Sequence, residues 1–192
     1  MVRHGRLQLE DSQRRYIGQL DLPLNEEGVR QAQLLQKKLE CVQFDAVYCS
    51  DLNRSRQTAE IIVGNRGIAI TPLRNLREIS MGEWEGCTIA DIACRFSAQY
   101  KNRGEDLVHY RVSGGESFSD CSKRVIAAFQ ELLKATVGDI LIVGHAGVNR
   151  LLLCHLLGMP IANLFRIGQD YGCLNIFQCG NFGFHVELVN YK

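Results

Sequence analysis

Two short apolar runs constrain what this chain can fold into more than any other feature: FDAVYCS at residues 44–50 and DILIVG at residues 139–144. Each passes within one or two residues into a stretch of helical composition, DLNRSRQTAEIIV after the first and HAGVNRLLLCHLLG after the second. Runs this short, apolar almost throughout and rich in branched side chains, suit strands covered on both faces. Strands that lead straight into helices predict an α/β domain with a mainly parallel sheet.

The rest of the chain follows the same pattern. LNEEGVRQAQLLQKKLE has Asn25 as N-cap, acids in its first turn, lysines near its end, and Val29, Ala32, Leu35 and Leu39 at helical spacing. IAITPL reads as a further strand, and SFSDCSKRVIAAFQELLKA as a long helix capped by Ser117. Gly158 and Pro160 end the helix after HAG, and CLNIFQCG with FHVELVNY forms a closing hairpin. Between Gly86 and Gly115 polarity is mixed and periodicity weak, so residues of about 87–117 are expected to form an inserted cap. The expected fold is a three-layer α/β/α sandwich with a mainly parallel central sheet and a small cap insertion, one domain over residues 1–192.

Composition limits the partners. With 192 residues, 46% of them hydrophobic, and a net charge of +1, the chain suits one sizeable core and has no broad basic surface for nucleic acid or an anionic membrane. No apolar run reaches the roughly 20 residues of a membrane helix. An anionic ligand must therefore be met by a local pocket. The eight cysteines are scattered, with no Cys-x-x-Cys pair and no leader before them, which favours reduced thiols in a cytoplasmic protein. Cys41, Cys49, Cys94, Cys154 and Cys173 stand among apolar residues and are expected to act as small hydrophobes.

In open α/β sheets ligands collect at the carboxyl ends of strands. Arg3 and His4 follow a very short first strand, Arg54 lies one turn into the helix after AVYCS, His145 opens the helix after DILIVG, and Glu78 follows IAITPL and its loop. Arginine offers a planar fork that matches phosphate oxygens. A neutral imidazole can attack phosphorus, and a second, protonated one can stabilise charge on the equatorial oxygens. A carboxyl group beside the leaving oxygen can protonate it and then activate water. Assembled, these groups would hydrolyse a phosphomonoester with no metal and no cofactor. Glu83 and Glu85 flank Trp84 close by, and on the residues alone any of the three acids qualifies as the donor.

RHG, CSDLNRSRQTAE, LREISMGEWEG, GGES and IVGHAG occur in an order and spacing that resembles the histidine phosphatase superfamily, the phosphoglycerate-mutase-like group, over nearly the whole chain. The resemblance implies that His4 is the phosphorylated nucleophile, Arg3 and Arg54 are phosphate clamps, His145 is the second pocket histidine and Glu78 is the proton donor. Gly5, Gln19 and Ala146 join the phosphate-contacting candidates, and Glu83 and Glu85 are assigned to fixing their loop. Two departures from the family pattern stand out: only Met1 and Val2 precede RHG, either because the first strand is a stub or because the chain is part of a longer polypeptide, and RLQLEDSQ offers only Ser12 or Gln13 in place of the usual phosphate-binding Asn and Thr or Ser.

RRYIGQLDLPLNEEG with LREISMGEWEG and GGES is similar, more narrowly, to the α-ribazole-5′-phosphate phosphatases of cobalamin nucleotide-loop assembly. The implied partner is a small phosphorylated metabolite, bound by a monomer or homodimer. A phosphoglycerate mutase, a broad-specificity phosphatase and a catalytically weak phosphate-binding protein are the competing readings. Arg95, Tyr100, Lys101, Arg103, His109, Tyr110 and Arg111 give the cap a mixture of aromatic and cationic groups expected to meet the substrate, whereas His155 and His185 are expected to be structural.

Overall fold

Helix α1 (Glu26–Lys38) begins where the Asn25 side chain accepts from the Gly28 amide at 2.9 Å, with Glu26 and Glu27 at its positive end and Lys37 and Lys38 at its negative end. The computed structural model describes residues 1–9, 11–180 and 183–192. In chain order the other elements are β1 (Val2–Arg3), β2 (Ala46–Ser50), α2 (Asn53–Val63), β3 (Ile70–Leu73), α3 (Ile89–Arg95), α4 (Ser97–Glu105), α5 (Phe118–Ala135), β4 (Ile140–Gly144), α6 (Ala146–Leu156), β5 (Leu174–Gly180) and β6 (Gly183–Tyr191). Helix α5 starts in the expected place with a full capping box, in which the Asp120 amide donates to Ser117 Oγ and the Ser117 amide donates to Asp120.

The strands form one sheet in the order β3-β2-β4-β1-β5-β6. Strands β3, β2, β4 and β1 are parallel, while β5 and β6 run antiparallel as the closing hairpin. Pro72 is tolerated because β3 is an edge strand, where a missing amide donor costs no ladder bond.

Alternation along the strands divides the apolar side chains between two cores. Val2, Val47, Cys49, Leu141 and Val143 face α1 and α2, meeting Leu35, Leu39, Ala59 and Ile62. On the other face Ile142 joins the core built by Phe129, Leu132, Leu151 and Leu152 of α5 and α6. Each fully buried side chain of this kind contributes roughly 1.5–3 kcal/mol. Helices on both faces of a mostly parallel sheet give the α/β fold expected from the sequence.

The two-residue strand β1 occupies the centre of the sheet. Val2 lies opposite Val143 on one side and Leu174 on the other. Its backbone is held beyond those registers: the Arg3 amide donates to Cys173 O and the His4 amide to Gly144 O, each at 3.1 Å. Position between two neighbours, not length, is what fixes the first strand.

The weakly periodic stretch 87–117, expected to form a cap, contains two short helices, α3 and α4; Ile92 anchors α3 in the core, and no residue of α4 is fully buried. One expectation, on the cysteines, needs correction. Cys49, Cys154 and Cys173 are buried, but Cys41 and Cys94 are exposed, because each falls on the outward side of its segment. Apolar sequence neighbours do not bury a residue whose turn of chain faces water.

Candidate active site

The parallel strands β1 and β4 end side by side, so the residues that follow them, His4 and His145, are brought together with ring centroids 5.0 Å apart. Both are buried, and their hydrogen bonds give them opposite tautomers. His4 Nδ1 lies 2.7 Å from Gly5 O, an atom that can only accept, so Nδ1 carries the proton and Nε2 keeps a free lone pair. His145 Nδ1 instead accepts from Arg54 Nε at 3.2 Å, which places the proton of the neutral ring on Nε2, a buried donor without a protein partner.

Burial first, then the positive charge of Arg54, pushes the pKa of both rings well below 6.5. This corrects the expected protonated second histidine: an imidazolium has no lone pair with which to accept from Arg54, so His145 acts here as a neutral donor.

Arg54 sits in the first turn of α2 with 1% of its surface exposed. Its Nη1 donates to Leu20 O at 2.6 Å and its Nη2 to Gly18 O at 2.7 Å. With Nε on His145, one hydrogen on each terminal nitrogen remains for a ligand. Arg3 is aimed by Gln169 O, 2.5 Å from Nη1, and by the Tyr171 ring, whose centroid lies 3.7 Å from the guanidinium carbon. Its buried Nε has no protein acceptor.

Glu78 faces these groups from the start of α6. Its carboxylate accepts from the amides of Gly147 at 2.9 Å, Val148 at 3.2 Å and Ile79 at 3.0 Å, and so caps the helix that His145 opens. Glu85 accepts from the amides of Gln19 and Met81, the loop-fixing role expected of it. Glu83 fixes its loop differently, through the Ser113 hydroxyl at 2.8 Å.

Arg3, His4, Arg54, Glu78 and Ala146 line one open cleft of about 840 Å³, with Ser12 and Gln13 at its rim. His145 is fully buried and packs between Arg54, from which it accepts, and the His4 ring. Gly5 and Gln19 are turned elsewhere: the Gly5 amide donates to Thr58 Oγ1 at 3.1 Å, and Gln19 Nε2 donates to Glu78 O at 3.1 Å. Gly5 also packs backbone against backbone on Gly28, so that a Cβ on Gly5 would overlap the Gly28 carbonyl and one on Gly28 would overlap Arg6 O. Of the cap residues singled out in the sequence, the cleft is lined by Arg103. Tyr100 is exposed on α4, His109 is exposed, and Tyr110 packs towards Trp84 with centroids 6.4 Å apart.

Sequence reasoning missed Tyr171, Arg150 and Phe165, all on the cleft wall. Tyr171 touches both Arg3 and His4, the latter at 5.6 Å between centroids. Its only signal was an aromatic in the polar turn GQDYG before the hairpin. Among the described residues no group of three or more His, Cys, Asp or Glu side chains is placed to hold a metal ion, and no helix is long and apolar enough to cross a membrane.

Comparison with known proteins identifies a family for the whole chain. The model of the histidine phosphatase superfamily (branch 1) matches residues 1–192. The adenosylcobalamin/α-ribazole phosphatase of Escherichia coli K12 is 33% identical over 176 residues, covering 90% of this chain and 85% of that protein. The crystal structure of the α-ribazole phosphatase from Shigella flexneri superposes with a TM-score of 0.91 at 30% identity, covering 98% of this chain and 94% of that one. A mycobacterial glucosyl-3-phosphoglycerate phosphatase complexed with VO3 gives a TM-score of 0.88 at 27% identity, covering 100% of this chain and 98% of that one.

Proposed function

The chain belongs to the histidine phosphatase superfamily (branch 1), a phosphatase hydrolase, and from that premise we propose how its own residues carry out phosphomonoester hydrolysis. The observation that carries the proposal is the pair of fixed tautomers, which leaves one ring with a bare nitrogen and the other with a bare N–H. His4 Nε2 attacks phosphorus as the bond to the leaving oxygen breaks, and Glu78, protonated at that moment, gives its proton to the departing alkoxide. Arg3, Arg54 and His145 Nε2–H donate to the phosphoryl oxygens, which carry the charge of the transition state. Glu78, now a carboxylate, takes a proton from water; the water oxygen bonds to phosphorus, the P–N bond breaks, and inorganic phosphate leaves with His4 neutral again.

For the substrate we propose α-ribazole 5′-phosphate or a similar small phosphorylated metabolite. The names of the E. coli and Shigella relatives support this, and a cleft of about 840 Å³ is far larger than a phosphoryl group needs. The cationic donors already neutralise the phosphoryl oxygens, so turnover should persist in EDTA. A screen of phosphorylated metabolites with chelator present, together with trapping of an acid-labile, base-stable phosphoprotein, tests the reading. Hydrolysis without any phosphohistidine would overturn the mechanism, and phosphate binding without hydrolysis would leave a binding protein.

A further inference from the structure

Away from His4 the cleft wall changes character. Its far part alternates aromatic rings with guanidinium groups: Arg103 lies over Tyr16 at 5.6 Å and over Phe118 at 5.4 Å, Phe118 meets Phe165 edge-on at 5.8 Å, and Arg150 lies over Phe165 at 5.6 Å. Phe165 is the anomaly in this row. It is 57% exposed although it lines the cleft, so a large apolar ring is kept in water beside a phosphate site. Tyr16 and Phe118 occupy Arg103, and Arg150 is tied through Nε to Ile167 O at 2.8 Å, so Phe165 presents the open surface of the row.

An exposed ring backed by a cation suits a flat, electron-rich partner. Neither Arg103 nor Arg150 forms a salt bridge among the described residues, and both are largely desolvated, which leaves N–H donors in the same part of the cleft for acceptor atoms at the partner's edge.

We propose that Phe165 is the stacking platform for a flat heteroaromatic ring on the leaving group of the substrate, with Arg103 and Arg150 flanking it, and that this platform sets the preference for nucleoside-like monophosphates over sugar phosphates of the same size at the phosphoryl end. The inference rests on the phosphatase reading of the same cleft, but it concerns ring recognition and can be tested apart from turnover. It also moves substrate recognition from the outer cap residues Tyr100 and Tyr110 to the segment that precedes the hairpin.

AMP and ribose 5-phosphate form a matched pair of probes, since they share sugar and phosphate and differ by the ring. Calorimetric dissociation constants would be measured for both in a His4→Ala background, with and without Phe165→Ala, and kcat/KM for both in the otherwise unaltered enzyme. Base stacking on an aromatic side chain predicts that Phe165→Ala narrows the AMP preference about tenfold, chiefly through Kd and KM, and that Phe165→Trp preserves it. An AMP preference unaltered by Phe165→Ala, or no preference to begin with, overturns the proposal. A Phe165-dependent preference in binding with no hydrolysis of either ester or of any ester in the metabolite screen would uphold the platform while sinking the phosphatase reading.

Discussion

The floor of the cleft and its cap are built by opposite rules. On the floor His4, Arg54 and His145 are all but removed from water, and Arg54 spends three of its nitrogens on protein acceptors. In the expected cap, no residue of α4 is fully buried, and its charged pair Lys101–Glu105 lies at the surface with side chains 76% and 65% exposed. On the floor the side chains are held from several sides, whereas the expected cap is anchored by residues such as Ile92 and Val112 and leaves much of α4 to solvent.

If the comparison is right, the largest effects lie on the floor. His4→Ala should abolish the phosphoprotein and lower kcat by about 10⁴-fold or more, as loss of a nucleophile does. Quantitative phosphate release with a chromogenic ester checks this, and residual turnover within tenfold of the parent would remove His4 from its role. Glu78→Gln comes next, with a loss of about 10²–10⁴-fold that is smallest for esters with good leaving groups. An equal loss on p-nitrophenyl phosphate and on an alkyl phosphate would mean that Glu78 acts only as the cap of α6.

A third effect concerns stability and pH. Above pH 6.5 the rings of His4 and His145 are neutral in both the folded and the unfolded chain. Below that value the unfolded chain takes up protons that the buried rings refuse, so stability falls with falling pH, by at most about 1.4 kcal/mol per pH unit for each ring. Denaturant titrations between about pH 7.5 and 5.5 measure the slope. His145→Asn should make it shallower, and an unchanged slope would assign the acid sensitivity to other groups.

The smallest effects belong to the outer cap. Tyr100→Ala and Lys101→Ala should change stability by no more than about 0.5 kcal/mol and leave ester selectivity as it was. Loss of discrimination between AMP and ribose 5-phosphate in Tyr100→Ala would break the division between floor and cap.

How much of this was legible in the sequence follows the same division. Arg54 and His145 sit where a strand ends and a helix begins, and periodicity marks such junctions without any knowledge of tertiary contacts, whereas His4 follows a two-residue strand and was legible only through the RHG motif. Ser117 announced its helix start because an N-cap depends on local hydrogen bonding alone, and the structure adds Asp120 as its reciprocal partner. Tyr171 and Phe165 were illegible because their neighbours, Arg3 and Phe118, are far away in the chain and meet them only after folding. The segment misled for a related reason: Tyr100 differs from Arg103 in direction, and in a helix as weakly amphipathic as α4 the residue types do not reveal which side faces the cleft, while Tyr110 lies beyond that helix and turns towards Trp84. The tautomers were beyond reach too, since they depend on Gly5 O and Arg54 Nε lying within hydrogen-bonding distance.

The contact between Gly5 and Gly28 limits which neighbouring sequences can be reached one substitution at a time. A side chain at either position strikes main chain belonging to the other segment, Gly28 O in one case and Arg6 O in the other, and main chain cannot be trimmed by a second substitution. No compensating change at the partner position exists, in contrast to a packed pair of side chains where one can shrink as the other grows. Drift at these two sites is therefore blocked in both orders, and the loop carrying His4 stays seated on the first turn of α1, while the aromatic and cationic wall across the cleft is under no such main-chain constraint.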